Sequence, residues 1–144
     1  MKIVVDTNII FSALLNSNSN IGQILLKPNN NLEFYSVKFL QHEIIKHYSK
    51  IIKYSKQSEN MITELIEIIY SKIYFIDEQL IKKETLLAAE KLTYDIDFDD
   101  VLFVALALEL ECRLWTGDMK LSSSLIFKGF YQVISTQDLV INLK

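Results

Sequence analysis

The 144-residue sequence contains a single cysteine, a single proline and three glycines. The lone Cys112 excludes an intramolecular disulfide and a zinc site built from cysteines. The scarcity of proline and glycine excludes collagen-like, linker-rich and low-complexity chains. We therefore expect an ordinary globular protein, and the lack of disulfides favours a cytoplasmic location.

Arginine is nearly absent as well. The chain contains one arginine, Arg113, and fourteen lysines, and its net charge is −3. Few bidentate guanidinium contacts to phosphate are therefore available. This balance argues against a passive, strongly basic nucleic-acid coat, but it leaves room for an enzyme that brings metal ions to a phosphate. The first apolar run ends at Asp6, too early for a signal peptide, and no run is long enough to span a membrane.

Short apolar runs alternate with helical patterns along the chain. Strands are predicted at residues 3–5, 32–35, 73–76, 113–116 and 131–134, with helices between them. Ser36 and Thr136 are predicted to cap the helices that follow them. This alternation is typical of a layered α/β domain with a mainly parallel sheet. No repeat or linker divides residues 1–144, so we expect one domain.

Four carboxylates fall near the ends of these predicted elements. Asp6 follows the first strand, Asp118 comes just after the fourth, Asp100 enters the helix before the fourth, and Glu43 lies in the helix after the second. Sites in open parallel sheets form outside the carboxyl ends of the strands. Clustered carboxylates repel one another unless a divalent cation neutralises them, and oxygen ligands favour Mg²⁺ or Mn²⁺. Two such ions can hold a phosphodiester and generate hydroxide.

Each of these acids also has an ordinary structural explanation. Asp6 and Asp118 could close turns at strand ends, and Glu43 could lie on a solvated helix face. Asp97 and Asp100 have a spacing related to a capping box. The joint placement of the acids relative to the strands favours a functional site.

Four segments occur in a characteristic order: VVDTNIIFSALL, LQHEIIKHY, DIDFDDVLFVALAL and LWTGDMKL. Together they resemble the PIN domain (named for the PilT N-terminus), the fold of many metal-dependent ribonucleases, over nearly the whole chain. The resemblance implies a three-layer α/β/α fold with a mainly parallel five-stranded sheet in the order 3-2-1-4-5. It also implies an endoribonuclease that hydrolyses RNA phosphodiester bonds with Mg²⁺ or Mn²⁺.

The resemblance further implies a set of site residues and partners. The catalytic and metal-binding set comprises four acids: Asp6, Glu43, Asp100 and Asp118. Four supporting residues accompany them: Asn8, Ser12, Asp97 and Thr116. Many small bacterial members of this family are VapC-like toxins of type II toxin–antitoxin pairs, which often form homodimers and are silenced by a small antitoxin protein. A toxin role is therefore a hypothesis for this chain.

Two functions of other kinds stay open from the sequence. Strand-end acids with Mg²⁺ also build phosphoacceptor sites, although the Asp6-Thr7-Asn8 segment lacks the DxD pattern of the haloacid-dehalogenase type. A non-catalytic PIN-like module that binds RNA or a protein is the other alternative. The intact set of four acids argues against such a module.

Overall fold

The structure of the chain, a computed structural model, describes residues 1–27 and 31–142. Its strands are β1 (Lys2–Val5), β2 (Glu33–Val37), β3 (Ile73–Ile76), β4 (Arg113–Trp115) and β5 (Val133–Ile134). Its helices are α1 (Thr7–Leu15), α2 (Asn20–Leu26), α3 (Phe39–Lys46), α4 (Tyr48–Ser55), α5 (Glu59–Ser71), α6 (Lys83–Thr93), α7 (Val101–Leu110), α8 (Met119–Phe127) and α9 (Thr136–Asn142). Short 3₁₀ turns cover Glu78–Leu80 and Phe98–Asp100.

The five strands form one parallel sheet in the order β3-β2-β1-β4-β5, which confirms the predicted strand order. The central strand β1 pairs with β2 on one side and with β4 on the other, where Val5 is in register with Trp115. The strand order reverses between β1 and β4. In open α/β sheets a crevice forms at this point, outside the carboxyl ends of the strands.

The core lies against the central strands of this sheet. Ile3, Val4 and Val5 of β1 are fully buried, as expected for a β-branched strand that is covered on both faces. Helix α7 packs against β1, β2, β4 and α6, and its side chains are buried around most of its circumference. A helix that is apolar all round needs such a position between two layers.

Two of the predicted helix caps are wrong. Ser36 lies inside β2, fully buried, where its hydroxyl donates to the Val5 carbonyl (2.8 Å) and satisfies a polar group between two strands. Thr136 instead accepts a hydrogen bond from Trp115 Nε1 (3.0 Å). The Asp138 N–H donates to Ser135 Oγ (3.1 Å), so Ser135 provides the cap of α9.

None of the helices within residues 1–27 and 31–142 combines the length and the apolar character that crossing a bilayer requires.

Candidate active site

Asp6 lies at the centre of the candidate site because it joins β1 to α1. Its extended backbone suits an N-cap, and its Oδ1 accepts a hydrogen bond from the Ile9 N–H (3.2 Å). The Asp6 N–H donates to the Trp115 carbonyl (3.4 Å) and so connects the ends of β1 and β4. Asp6 is 3% exposed, and its Oδ2 is buried without a hydrogen-bond partner.

The buried position of Asp6 changes its acidity. Burial raises the pKa of Asp6 from 3.8 to about 6, while the Thr116 hydroxyl and the N–H groups of Ile9 and Asn8 oppose the shift. The charge of Asp118 raises this pKa further. The negative form of Asp6 is therefore poorly stabilised by its protein neighbours alone.

Asp118 reaches the same edge from β4 and begins α8. Its Oδ1 accepts hydrogen bonds from the N–H groups of Lys120 (3.0 Å) and Leu121 (3.1 Å). The buried Thr116 accepts a hydrogen bond from the Asp118 N–H through Oγ1 (3.1 Å). Because the Thr116 hydroxyl also lowers the pKa of Asp6, this one side chain contacts both strand-end acids. Its supporting role stays a prediction.

Asp100 and Asp97 lie on the turn that leads into α7. The Asp100 N–H donates to the Asp97 carbonyl (3.1 Å), and residues three apart in a 3₁₀ turn eclipse each other. Asp97 Oδ1 accepts from the Asp99 N–H (3.0 Å) and fixes the start of the turn. Asp100 makes no capping hydrogen bond to α7, and its Oδ2 is buried without a partner.

The charges of the other predicted acids act on Asp100. Burial raises the pKa of Asp100 from 3.8 to about 7, and four neighbouring negative charges raise it further. In decreasing order of effect these charges belong to Asp6, Asp97, Asp118 and Glu43. The structure therefore places the predicted acids within electrostatic reach of one another.

Glu43 approaches from the other side of the crevice on α3. Its Oε1 accepts a hydrogen bond from the hydroxyl of Thr7, the residue directly after Asp6. Burial raises the pKa of Glu43, the Thr7 hydroxyl lowers it, and the charges of Asp99 and Asp97 raise it. Thr7 was not among the predicted site residues. The signal for it was a hydroxyl immediately after the first acid, at the start of a helix.

Asn8 and Ser12 occupy the first turns of α1. Asn8 is exposed and Ser12 is partly buried. Within the described ranges, 1–27 and 31–142, no side-chain hydrogen bond joins either residue to the four acids. Their supporting role stays a prediction.

The donor set of this region fits a hard divalent cation. Asp6 Oδ2 and Asp100 Oδ2 are the buried side-chain oxygens or nitrogens that lack a partner in the part of the chain that the structure describes. A buried carboxylate oxygen without a donor is costly unless a cation neutralises it, and carboxylate oxygens suit Mg²⁺ or Mn²⁺. However, no three His, Cys, Asp or Glu side chains of the described residues are grouped closely enough to hold a metal ion.

The fold and the site define an α/β protein with acids beside the switch point of a parallel sheet. The model of the PIN domain family matches residues 4–133, so the chain belongs to the PIN domain family. This membership confirms the resemblance seen in the sequence. No curated protein shows significant sequence similarity to the chain.

Two solved structures contain chains with a similar fold. One is VapBC-1 from nontypeable Haemophilus influenzae, with a TM-score of 0.65 and 18% identity over 95% of this chain and 99% of that one. The other is VapBC2 from Rickettsia felis, bound to a DNA fragment from the VapBC2 promoter. Its TM-score is 0.60, with 18% identity over 94% of this chain and 97% of that one. At this identity the likeness establishes the fold.

Proposed function

We propose that residues 1–144 form a single PIN-like nuclease domain, a metal-dependent endoribonuclease that hydrolyses RNA phosphodiester bonds. The observation that carries this proposal is the pair of buried, unpartnered carboxylate oxygens on Asp6 and Asp100. Asp6 follows β1 next to the switch point between β1 and β4, and its charge raises the pKa of Asp100. Membership of the PIN domain family supports the same activity.

In this proposal, Asp6 and Asp100 hold Mg²⁺ or Mn²⁺, and Asp118 and Glu43 complete the acidic set. A bound ion of this kind supplies a Lewis acid and a source of hydroxide at neutral pH. Burial raises the pKa of Glu43. A carboxylate of raised pKa is a suitable acceptor for the proton of an attacking water molecule.

The remaining polar groups orient these acids. Thr7 donates to Glu43 and Thr116 accepts from the Asp118 backbone, so each hydroxyl restricts one acid. Asp97 adds negative charge beside Asp100. Asn8 and Ser12 are placed on α1 to support Asp6. Such outer contacts set the orientation of metal ligands and are needed for full activity.

The biological role that we propose is the toxin of a type II toxin–antitoxin pair that acts in the cytoplasm. The support is family membership together with the similarity of fold to chains from two VapBC structures. The partner would be a small antitoxin protein, and a homodimer is the predicted assembly. Co-purification with the product of a neighbouring small reading frame, and loss of RNA cleavage in that complex, would test this role.

The nuclease activity can be tested with total tRNA and structured RNA in Mn²⁺, in Mg²⁺ and in chelator. We expect cleavage that requires a metal and disappears in Asp100→Asn. The matched control is Asp77→Asn, because Asp77 adjoins the other 3₁₀ turn, Glu78–Leu80, where its Oδ1 accepts from the Gln79 N–H (3.0 Å). Cleavage by Asp100→Asn at the level of the unmodified chain would contradict the assignment.

A second candidate function is a non-catalytic PIN-like module that binds RNA or a protein. The observation that favours it is that no three potential ligands of the described residues are grouped closely enough to hold a metal ion. Calorimetric titration with Mn²⁺ separates the two functions. The nuclease requires binding that weakens in Asp6→Asn, whereas the module predicts no metal binding.

A further inference from the structure

Phe98 is a large aromatic side chain that the fold leaves in solvent. It is 77% exposed, although it lies in the turn between Asp97 and Asp100. None of the ring–ring and cation–ring contacts of the described residues involves Phe98. Both faces of the ring are therefore free of aromatic and cationic partners within the described residues.

The ring borders a small cavity between α6 and the start of α7. The cavity has a volume of about 300 Å³, and its lining includes Phe98, Tyr94 and Ile96. The ring of Tyr94 is already engaged, because Lys128 Nζ lies 4.8 Å from its centre. Phe98 is therefore the aromatic side chain in the described lining of this cavity that has no cationic partner.

The segment that carries Phe98 is held in place from α8. Lys128 Nζ donates to the Leu92 carbonyl (2.9 Å) and also pairs with the Asp95 carboxylate. These contacts, together with the one to Tyr94, fix the segment before the turn. A platform that is fixed before binding loses less conformational entropy when a ligand stacks on it.

We propose that Phe98 is a stacking platform for an unpaired nucleobase next to the phosphate that the acids engage. The inference rests on the proposed nuclease function and assigns to Phe98 the contact with one unpaired base of its substrate. The Cα atoms of Asp97 and Phe98 are about 3.8 Å apart, so the platform and the acids are neighbours in the chain. The base and phosphate of one nucleotide, separated by a sugar, suit this short separation.

The charges around Phe98 favour stacking over phosphate pairing as the source of affinity. The segment carries four aspartates: Asp95, Asp97, Asp99 and Asp100. The chain has one arginine and a net charge of −3, so few bidentate guanidinium contacts to phosphate are available. Stacking on an aromatic ring is independent of charge and requires a base that is not already stacked in a duplex.

The test measures binding of a fluorescein-labelled oligouridylate by anisotropy in Mg²⁺. The parent protein is Asp6→Asn, in which the proposed function predicts no hydrolysis. We expect Phe98→Ala to weaken binding about 5- to 150-fold, as loss of one base stack does, and Phe98→Trp to preserve it. Phe98→Leu should weaken binding as Phe98→Ala does, because it keeps an apolar side chain but has no ring.

Tyr131→Ala is the matched control. Tyr131 is 72% exposed. It precedes β5 and so lies at the amino ends of the parallel strands, whereas Asp6 and Asp118 follow the carboxyl ends of β1 and β4. We expect this variant to bind as the parent does. We also expect the duplex of oligouridylate with oligoadenylate to bind weakly and without dependence on Phe98.

Several results would overturn the platform: no binding of oligouridylate by the parent, equal binding by Phe98→Ala, full binding by Phe98→Leu, or an equal loss in Tyr131→Ala. Loss of a protein partner alone in Phe98→Ala, with RNA binding unchanged, would also overturn it. Failure of the proposed nuclease function is a separate outcome. If the chain with Asp6 intact cleaves no RNA, but its RNA binding depends on Phe98, the nuclease function is contradicted and the stacking platform is supported.

Discussion

The ends of β1 and β3 carry the same local feature but have different surroundings. Asp6 follows β1 and Asp77 follows β3, and each side chain accepts a hydrogen bond from a backbone N–H of the turn that it begins. Asp6 is almost completely buried and its second oxygen has no partner, whereas Asp77 is partly exposed. A strand-end aspartate is therefore a common turn residue, and its position in the sheet decides whether it becomes part of a site.

The difference arises from the strand order. β1 lies between β2 and β4, and the switch point beside it brings Thr116 and Asp118 next to Asp6. In the described chain β3 is an edge strand that pairs with β2, so solvent reaches the Asp77 carboxylate. Water can stabilise the charge of Asp77, whereas a cation is the group best suited to stabilise that of Asp6.

The largest expected difference between the two ends is in catalysis. Asp6→Asn should lower the rate of metal-dependent RNA cleavage by more than about 100-fold, because loss of an outer contact to a metal ligand already costs roughly 10- to 100-fold. Asp77→Asn should cleave at the unmodified rate. Single-turnover cleavage assays measure both variants, and similar rates for the two would remove the distinction.

The next difference is in stability as a function of pH. The folded-state pKa of Asp6 is raised from 3.8 to about 6, so the folded protein holds this proton more tightly than the unfolded chain. The contribution of this proton to the free energy of unfolding is complete below pH 4 and is lost as pH rises through about 6. The total loss is roughly 3 kcal/mol. Asp100, with a pKa of about 7, extends the decline toward neutral pH.

Urea unfolding in chelator at a series of pH values measures this decline. Asp6→Asn should flatten the curve between pH 4 and 6, and Asp77→Asn should retain the slope of the unmodified protein. Added Mn²⁺ should stabilise the protein more at high than at low pH, since the ligands must lose protons to bind it. A slope that Asp6→Asn leaves unchanged would show that another group titrates.

A smaller effect is expected at the residue that supports the β1 end. Thr116→Val keeps the approximate volume of a side chain that is 4% exposed, but it removes the acceptor of the Asp118 N–H. We expect cleavage to fall roughly 10- to 100-fold, with Thr116→Ser retaining most of the activity. The ratio of the rates of the Val and Ser variants measures the contribution of the hydroxyl.

The smallest effect is expected on the stability of the β3 end. Asparagine caps a turn about as well as aspartate, so Asp77→Asn should change the free energy of unfolding by no more than about 0.5 kcal/mol. Thermal or urea unfolding at neutral pH checks this value. A large loss would show that Asp77 has a structural role that its one turn contact does not explain.

The sequence predicted the fold well because the strands are short apolar runs separated by helical patterns. Ile3–Val5 reads as a buried parallel strand, and the family resemblance supplied the order 3-2-1-4-5. The two predicted caps failed because serine and threonine suit several partners. Ser36 bonds across the sheet and Thr136 receives the Trp115 indole, and neither tertiary contact is visible in a local pattern.

The candidate site was predicted less completely than the fold. The positions of Asp6, Asp100 and Asp118 followed from strand ends and from the resemblance. The contact of Thr7 with Glu43 joins residues 36 apart in sequence, so helix packing creates it. The exposed ring of Phe98 was equally invisible, because an aromatic residue between acids indicates neither burial nor exposure.

Helix α8 acts as a spacer of fixed length in this protein. Asp118 begins the helix, Lys128 directly follows its last residue, and nine helical residues separate them, a rise of about 14 Å. The length of α8 therefore sets where Lys128 meets the segment that precedes Asp100. One residue inserted into the helix would turn Lys128 by about 100°, away from Asp95 and Tyr94, without altering any of the acids.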